Sequence, residues 1–444
     1  MMRQSSPVRQ PGVLGLIVAA GLTLIPSAAP ASGHLAPVLR HRFPNGLTLL
    51  VRENPAAPVV AVSLQVKMGG RWERPEDAGI SNLLQHVVVK GTARRSAQAI
   101  AEAAEEIGGS VSASGDTDYS ELRGTALARH WKALLDLIAD VALRPSLPAE
   151  EIENERRVIL SQIRNRGDLP FPLTFDTLLA SLYGPHPYGR PALGRRQTVE
   201  RLDRGRLEEQ YRRHYRAGRI VLAVSGQVSG PAVVKEVERL FADLPAGSEA
   251  EAPAPPAPAA ASARQVLERP AAQAQILMGY LAPSLAGGDY AAVKVLTTLL
   301  GGGMAGRLFV ELRDKQGLAY SLGALYPSRA ETSFLVIHMG TAPENLTRAE
   351  EGLRREVARI REERVTPEEV QRAKAYLLGN LAMDRRTNAR QAWYLAFFEL
   401  AGVGHEFLDR YAAAVEAVTA EDIQRVAGRY LADPTVAVLK PIPK

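Results

Sequence analysis

The sequence predicts an α+β protein of two homologous domains, each a mainly antiparallel β-sheet with helices packed on one of its faces. Two observations lead to this fold class. A low-complexity segment, Pro245 to Ala263, contains the run Ala-Pro-Ala-Pro-Pro-Ala-Pro-Ala-Ala-Ala, a composition typical of a semi-rigid linker. The stretches on either side of it have similar lengths and the same order of patterns. We therefore expect domains at 39–245 and 265–444, joined by a linker at 246–264.

Each half opens with strand-like alternation of apolar and polar residues, continues with an apolar helix, and ends in another strand-like run. In the N-terminal half, strands are expected at 47–67, 119–127 and 220–225. The apolar helix is expected at 79–89 and a long second helix at 148–164. In the C-terminal half, the opening strand, helix and closing strand are expected at 273–281, 290–300 and 435–439. The glycines that follow at 301–303 lack the lysine and spacing of a phosphate-binding loop, so we expect a substrate-facing turn.

Composition and the N-terminal sequence limit the class of protein and its expected location. The 444 residues carry a formal charge of +6 that is spread along the chain, which disfavours nucleic-acid binding. Residues 1–31 have the pattern of a signal peptide: arginines precede an apolar stretch at 13–25, and Ala29-Pro30-Ala31 fits a cleavage site. An uncleaved anchor is the alternative. From the signal peptide we expect a periplasmic or secreted protein. Because the chain has no cysteine, its stability must come from packing rather than from disulfides, which fits a bacterial periplasm better than a disulfide-rich extracellular module.

The stretch Gly79-Ile-Ser-Asn-Leu-Leu-Gln-His-Val-Val-Val-Lys-Gly-Thr92 has the frame of an inverted zinc-peptidase helix, H-x-x-E-H. In that motif two histidines one helical turn apart reach one metal, and the glutamate acts as the base on metal-bound water. Here Asn82 and Gln85 occupy the positions of the first histidine and the glutamate, and only His86 remains. An amide oxygen is a poor zinc ligand and no useful base. His86 alone is either a hydrogen-bonded polar residue or a residual metal contact.

Beyond this stretch, several blocks of sequence have a recognisable order and spacing. With these blocks the chain resembles the insulinase/pitrilysin family of inverted-zincin metallopeptidases, which includes the mitochondrial processing peptidases and the respiratory-complex core proteins. The resemblance extends from about Leu39 to the C-terminus and implies the processing-peptidase-like metallohydrolase fold. The blocks are Gly79–Thr92, Gly108–Tyr119, Glu155–Ile163, Tyr183–Gly189, Leu299–Met304 and Arg307–Tyr320.

The resemblance implies further site positions, several of them altered. The family's third zinc ligand, a distal glutamate on the second helix, corresponds to Gln162, again an amide. The family's supporting acidic residue corresponds to Glu155, which is retained. Its substrate-binding asparagine corresponds to Ser112. By resemblance this chain binds no zinc, and its degenerate motif positions are Asn82, Gln85, His86 and Gln162.

An arginine and a tyrosine of the family's C-terminal domain are intact, at Arg313 and Tyr320. The resemblance implies that the arginine holds the peptide substrate and that the tyrosine hydroxyl donates to the developing oxyanion. Taken alone, an arginine and a tyrosine at this spacing are ordinary surface or packing residues. Some bacterial members of the family divide the work between two chains, one with the zinc motif and one with this pair, and the present sequence has the second pattern.

The leading hypothesis is a non-catalytic subunit of a heterodimeric periplasmic zinc metallopeptidase. This chain would supply Arg313 and Tyr320, and a homologous partner with an intact H-x-x-E-H motif would supply the zinc and the base, with an unfolded peptide as substrate. The second hypothesis is a structural or peptide-binding homologue without a role in catalysis. The third is an active zinc peptidase with substitute ligands. No stable membrane span is expected.

Overall fold

The computed structural model describes residues 36–247 and 263–443, which form two halves, each built on one sheet. The predicted signal peptide at 1–31 and most of the predicted linker at 246–264 lie outside the described residues. The N-terminal sheet has six strands in the order β1-β2-β6-β3-β5-β4, in which β2 and β6 run parallel and the other neighbours antiparallel. Its strands are β1 (Val38–Arg42), β2 (Thr48–Glu53), β3 (Val59–Val66), β4 (Ser110–Gly115), β5 (Ser120–Leu127) and β6 (Ile220–Gly226).

The single strand-like stretch expected at 47–67 is divided into β2 and β3 by a turn. Asn54 precedes Pro55 in this turn, and a residue before proline is restricted in its backbone angles, which favours a break in regular structure. The helices of this half are α1 (Ile80–Val88), α2 (Ala97–Glu106), α3 (Trp131–Leu143), α4 (Ala149–Asp168), α5 (Pro170–Tyr183), α6 (Arg196–Val199), α7 (Arg204–His214) and α8 (Gly230–Leu240).

The C-terminal sheet has five strands in the order β7-β11-β8-β10-β9, in which β7 and β11 run parallel and the other neighbours antiparallel. Its strands are β7 (Arg264–Pro270), β8 (Ala274–Ala282), β9 (Ser321–Leu325), β10 (Ser333–Thr341) and β11 (Thr435–Ile442). A π-helical segment spans Phe309–Asp314. The α-helices are α9 (Tyr290–Gly301), α10 (Leu346–Glu362), α11 (Pro367–Asp384), α12 (Asn388–Leu400), α13 (Phe407–Ala417) and α14 (Ala420–Tyr430). The predicted α+β class with two mainly antiparallel sheets is confirmed.

Each half packs its own helices against one face of its sheet, where alternate strand residues form a large apolar core. The opposite face receives a helix from the other half, which the sequence did not predict. Helix α5 of the N-terminal half lies on the C-terminal sheet, where Leu178 packs with Leu277 and Phe334. Helix α12 of the C-terminal half lies on the N-terminal sheet, where Leu395 packs with Leu50. The two halves are therefore joined by an exchange of helices.

The two exchanged helices make different contacts. The α5 contact is apolar and aromatic, with Phe175 edge-on to Phe334 at a centroid separation of 5.7 Å. The α12 contact adds a polar layer in which Asn54 donates to the Asn388 side chain at 2.7 Å. No helix among the described residues combines the length and apolar character needed to cross a bilayer.

Candidate functional site

Helix α1 carries the predicted motif, and the Glu73 carboxylate fixes its start. Gly79 precedes the helix with a φ of 98°, a left-handed conformation that glycine adopts without strain. Glu73 accepts hydrogen bonds from the backbone N–H groups of Gly79 and Ser81, each at 2.9 Å, and so satisfies donors that a helix start leaves free. Burial raises the pKa of Glu73, and these hydrogen bonds and Arg190 oppose that effect. Sequence reasoning missed this residue, which stands at a short fixed spacing before the motif.

Asn82 and Gln85 lie on α1, and each has a buried amide atom with no partner among the described residues. The Gln85 side chain is fully buried, and its Nε2 donates to the hydroxyl of Tyr215 at 2.9 Å. The atoms left without a partner in the described part of the chain are Oε1 of Gln85 and Nδ2 of Asn82. A hydroxyl can donate or accept, so either orientation of the Gln85 amide leaves one buried polar atom unpaired. Burial raises the pKa of Tyr215 to about 12, so the hydroxyl stays protonated at neutral pH.

His86 and Glu155 are brought together, as part of an ion-paired cluster that links α1 to α4. Nδ1 of His86 lies 2.9 Å from Oε2 of Glu155, and Nζ of Lys90 lies 2.8 Å from Oε1. Burial would raise the pKa of the Glu155 carboxyl, but the hydrogen bonds from Lys90 and His86 outweigh it and the pKa is lowered. Sequence reasoning missed Lys90, which lies two residues beyond the end of α1, where no helical spacing indicates its partner.

Gln162 lies on α4 two turns beyond Glu155, on the same side of the helix. It is exposed and makes no hydrogen bond within the described part of the chain. Ser112 lies on β4, the edge strand next to α1, and its hydroxyl accepts a hydrogen bond from Nε of Arg123 at 3.0 Å. The predicted positions thus share one surface of the N-terminal half, formed by α1, α4 and β4.

The chemistry of this donor set does not fit zinc. Zinc sites in proteins use thiolate, imidazole and carboxylate donors, with at least three from the protein. Here amides stand at three of the motif positions, and Nδ1 of His86 faces a carboxylate that also pairs with Lys90. Within 36–247 and 263–443, no three His, Asp or Glu side chains are placed to hold one metal ion. These residues therefore do not support a zinc-dependent step by this chain alone.

Arg313 and Tyr320 lie on the C-terminal half, on either side of a glycine turn before β9. The guanidinium of Arg313 lies 4.9 Å from the centroid of the Phe309 ring and is exposed. Tyr320 is 62% exposed, and its backbone N–H donates to the carbonyl of Gly340 at 3.0 Å. Neither polar head group has a hydrogen bond or ion pair among the described residues. Both are free to contact another molecule, and the structure does not pair them with His86 or Glu155.

Comparison with known proteins identifies the family. Residues 48–196 match the family model described as insulinase (peptidase family M16), and residues 201–377 match the one described as the peptidase M16 inactive domain. A protein from Rickettsia bellii named as an uncharacterized zinc protease is 31% identical over 343 residues, covering 77% of this chain and 82% of that protein. The chain belongs to the insulinase family. A second member, the uncharacterized zinc protease YmxG of Bacillus subtilis, is 27% identical and covers 91% of this chain and 98% of its own.

Solved structures agree with this assignment at the level of the fold. A peptidase M16 inactive domain from Pseudomonas fluorescens superposes with a TM-score of 0.86 at 22% identity, covering 92% of this chain and 99% of that one. A protease from Helicobacter pylori gives a TM-score of 0.85 at 21% identity, covering 92% and 100%. The resemblance to the insulinase family and the two-domain architecture are thereby confirmed.

Proposed function

We propose that this insulinase-family chain is the non-catalytic subunit of a heterodimeric periplasmic zinc metallopeptidase. One observation carries the proposal: the zinc positions on α1 and α4 hold amides, whereas Arg313 and Tyr320 are present, exposed and without polar partners among the described residues. A homologous partner with an intact H-x-x-E-H motif would bring the metal and the base. Arg313 would hold the peptide, and the Tyr320 hydroxyl would donate to the oxyanion as it forms.

The geometry supports a role in trans. A hydroxyl that stabilises an oxyanion must point into the space where the substrate lies, and a tyrosine already engaged within its own chain could not do so. Tyr320 is not engaged in this way, because its side chain is 62% exposed and its hydroxyl has no partner in the described part of the chain. Replacing a base by Gln85 and a ligand by Asn82 removes the chain's own chemistry but keeps side chains of similar size along α1. The export route is proposed from residues 1–31, so mature protein recovered from the periplasm is expected to lack them.

The test is reconstitution with a homologue from the same genome that carries H-x-x-E-H. We expect little zinc in this chain after dialysis against metal-free buffer, and peptide cleavage only when the two chains are mixed. Tyr320→Phe should lower kcat of the mixture by about a hundredfold, the size expected for loss of one oxyanion donor. Arg313→Ala removes a contact that holds the peptide, so it should raise KM of the mixture. Tyr376→Phe is the matched control, because Tyr376 is a half-exposed tyrosine on the same half.

Two results would replace the proposal. If the mixture cleaves peptide and both variants leave its rate unchanged, the chain is a structural or peptide-binding homologue. If the isolated chain retains close to one zinc per molecule, it is a zinc peptidase with substitute ligands. The triple variant Asn82→His, Gln85→Glu, Gln162→Glu supplies the missing donors and should bind zinc; failure to do so would show that the surrounding cleft has changed as well.

A further inference from the structure

A large groove lies on the side of α4 that faces away from the degenerate zinc positions. Its volume is about 960 Å³, close to the upper limit of the roughly 300–1,000 Å³ that is usual for ligand sites. Helices α4, α5 and α6 of the N-terminal half form most of its wall, and β7 of the C-terminal half contributes Arg269 and Pro270. Arg157 and Arg164 of α4 project into it from the helix face opposite Glu155. The groove is therefore distinct from the α1–α4 surface.

Four arginines line this groove, and two of them have no hydrogen bond or ion pair in the described part of the chain. Arg164 and Arg269 are exposed and have no hydrogen bond or ion pair among the described residues. Arg157 donates to the neutral side chain of Asn154. Arg196 is the exception, since its Nε lies 2.8 Å from Oε1 of Glu200. Another acidic group on the wall, Asp168, pairs with none of the four within 36–247 and 263–443.

Two arginines next to the groove are paired within the chain. Arg166 is in the same turn of α4 as Arg164, and its guanidinium holds the Asp176 carboxylate through two bonds of 2.7 Å. Arg264 opens the same strand as Arg269 and holds Glu350 in the same two-bonded manner, at 2.7 and 2.9 Å. These two arginines just outside the groove are thus paired within the chain, while Arg164 and Arg269 inside it present free forks of donors that match carboxylates in geometry.

We propose that this groove binds an extended, acidic peptide segment. Carboxylate side chains supply the negative partner that Arg164 and Arg269 lack, and a planar guanidinium can bind a carboxylate with two parallel hydrogen bonds. Between the arginines the wall is apolar at Leu160 and Leu173, which suits the stems of peptide side chains. A concave wall of this size favours a peptide over a flat membrane surface. The proposal does not depend on a partner subunit or on zinc.

The experiment measures fluorescence anisotropy of a labelled hexaglutamate peptide with the full-length mature chain, at 50 and 200 mM salt. The affinity is expected to fall at higher salt and to fall at least tenfold in Arg164→Glu/Arg269→Glu. The control Arg42→Glu/Arg348→Glu makes the same change in net charge at exposed arginines that have no ion pair among the described residues. It should bind like the wild type. All four residues are exposed, so equal melting temperatures are expected and will show that folding is intact.

Three results would overturn the proposal. The first is no binding of hexaglutamate by the wild type at low salt. The second is an equal loss of affinity in both double variants, which would mean non-specific attraction to a basic protein. The third is retention of anionic phospholipid vesicles, lost in Arg164→Glu/Arg269→Glu, without peptide binding, which would assign the groove to a membrane surface.

Discussion

Replacing Leu178 by alanine tests whether the helix exchange makes the two halves one folding unit. Leu178 lies on α5, is fully buried, and packs on the C-terminal sheet directly above Gly279. The change removes three carbon atoms, worth about 2 kcal/mol in transfer free energy. Gly279 has no side chain that could move into the space, so a cavity remains, and the total loss should reach about 3–4 kcal/mol.

Tryptophan fluorescence and far-UV circular dichroism separate the two halves in urea unfolding. Trp72 and Trp131 belong to the N-terminal half. Trp393 is on α12 but packs on the N-terminal sheet, where its indole N–H donates to the hydroxyl of Tyr119 at 3.0 Å. Trp72 and Trp131 therefore follow the N-terminal half and Trp393 follows the docking of α12 on its sheet, whereas circular dichroism follows both halves. If the halves are coupled, Leu178→Ala lowers the two midpoints equally, although it alters a contact on the C-terminal sheet.

The reasoning is refuted if circular dichroism divides into two transitions while the fluorescence midpoint stays at the wild-type value. In that case the exchanged helices would attach two units that fold separately. Leu169→Ala is the control, because Leu169 directly precedes α5 but is 55% exposed. It should leave both midpoints in place and change the free energy of unfolding by no more than about 0.5 kcal/mol.

Two further predictions concern pH. Burial and the charge of Arg219 lower the pKa of His214 to about 3. Below pH 6.5 the unfolded chain therefore binds a proton that the folded chain does not, and the free energy of unfolding decreases as the pH is lowered. At pH 5 this lowers the free energy of unfolding by about 2 kcal/mol. Between pH 7.5 and pH 5, His214→Asn should therefore lose less stability than the wild type. An equal loss in both proteins contradicts the assignment. The pKa of Glu155 is lowered instead, so its contribution is complete above about pH 4.3 and is lost as pH falls through the folded value. Glu155→Gln should cost about 0.5–1 kcal/mol at pH 7, because Lys90 loses its partner but is partly exposed to water, and less near pH 4. A cost that is the same at both pH values would show that the charge is unimportant.

Local patterns predicted most of the individual elements. The helix at 79–89 and the long helix from 148 are present as α1 and α4, because apolar residues at helical spacing and a proline at the helix start are local signals. The division of 47–67 was missed although Asn54-Pro55 was visible. The exchange of α5 and α12 could not be predicted, because an apolar helix face specifies that it is buried and not which sheet buries it.

The site was predicted as a set of positions but not as a set of contacts. His86 and Glu155 were both named as site positions, but neither their pairing nor the ion pair of Glu155 with Lys90 was predicted, because both contacts depend on how the end of α1 meets α4. The unpaired Oε1 of Gln85 depends on the single hydroxyl of Tyr215, which is distant in sequence. Gln162 shares a helix side with Glu155 as the spacing requires, and its exposure is a property of the packed structure.

The helix exchange also sets an order of events during synthesis. The N-terminal sheet is complete in strands once β6 has been made, yet one of its faces, including Leu50, Val221 and Ala223, is covered only when α12 follows. Phe171 and Phe175 of helix α5 likewise stay uncovered until the strands of the C-terminal sheet have been made. A chain that is synthesised from its N-terminus exposes both apolar surfaces while the second half is still emerging. This protein should therefore depend on holding chaperones, and a nick in the linker after folding should leave the two pieces bound to each other.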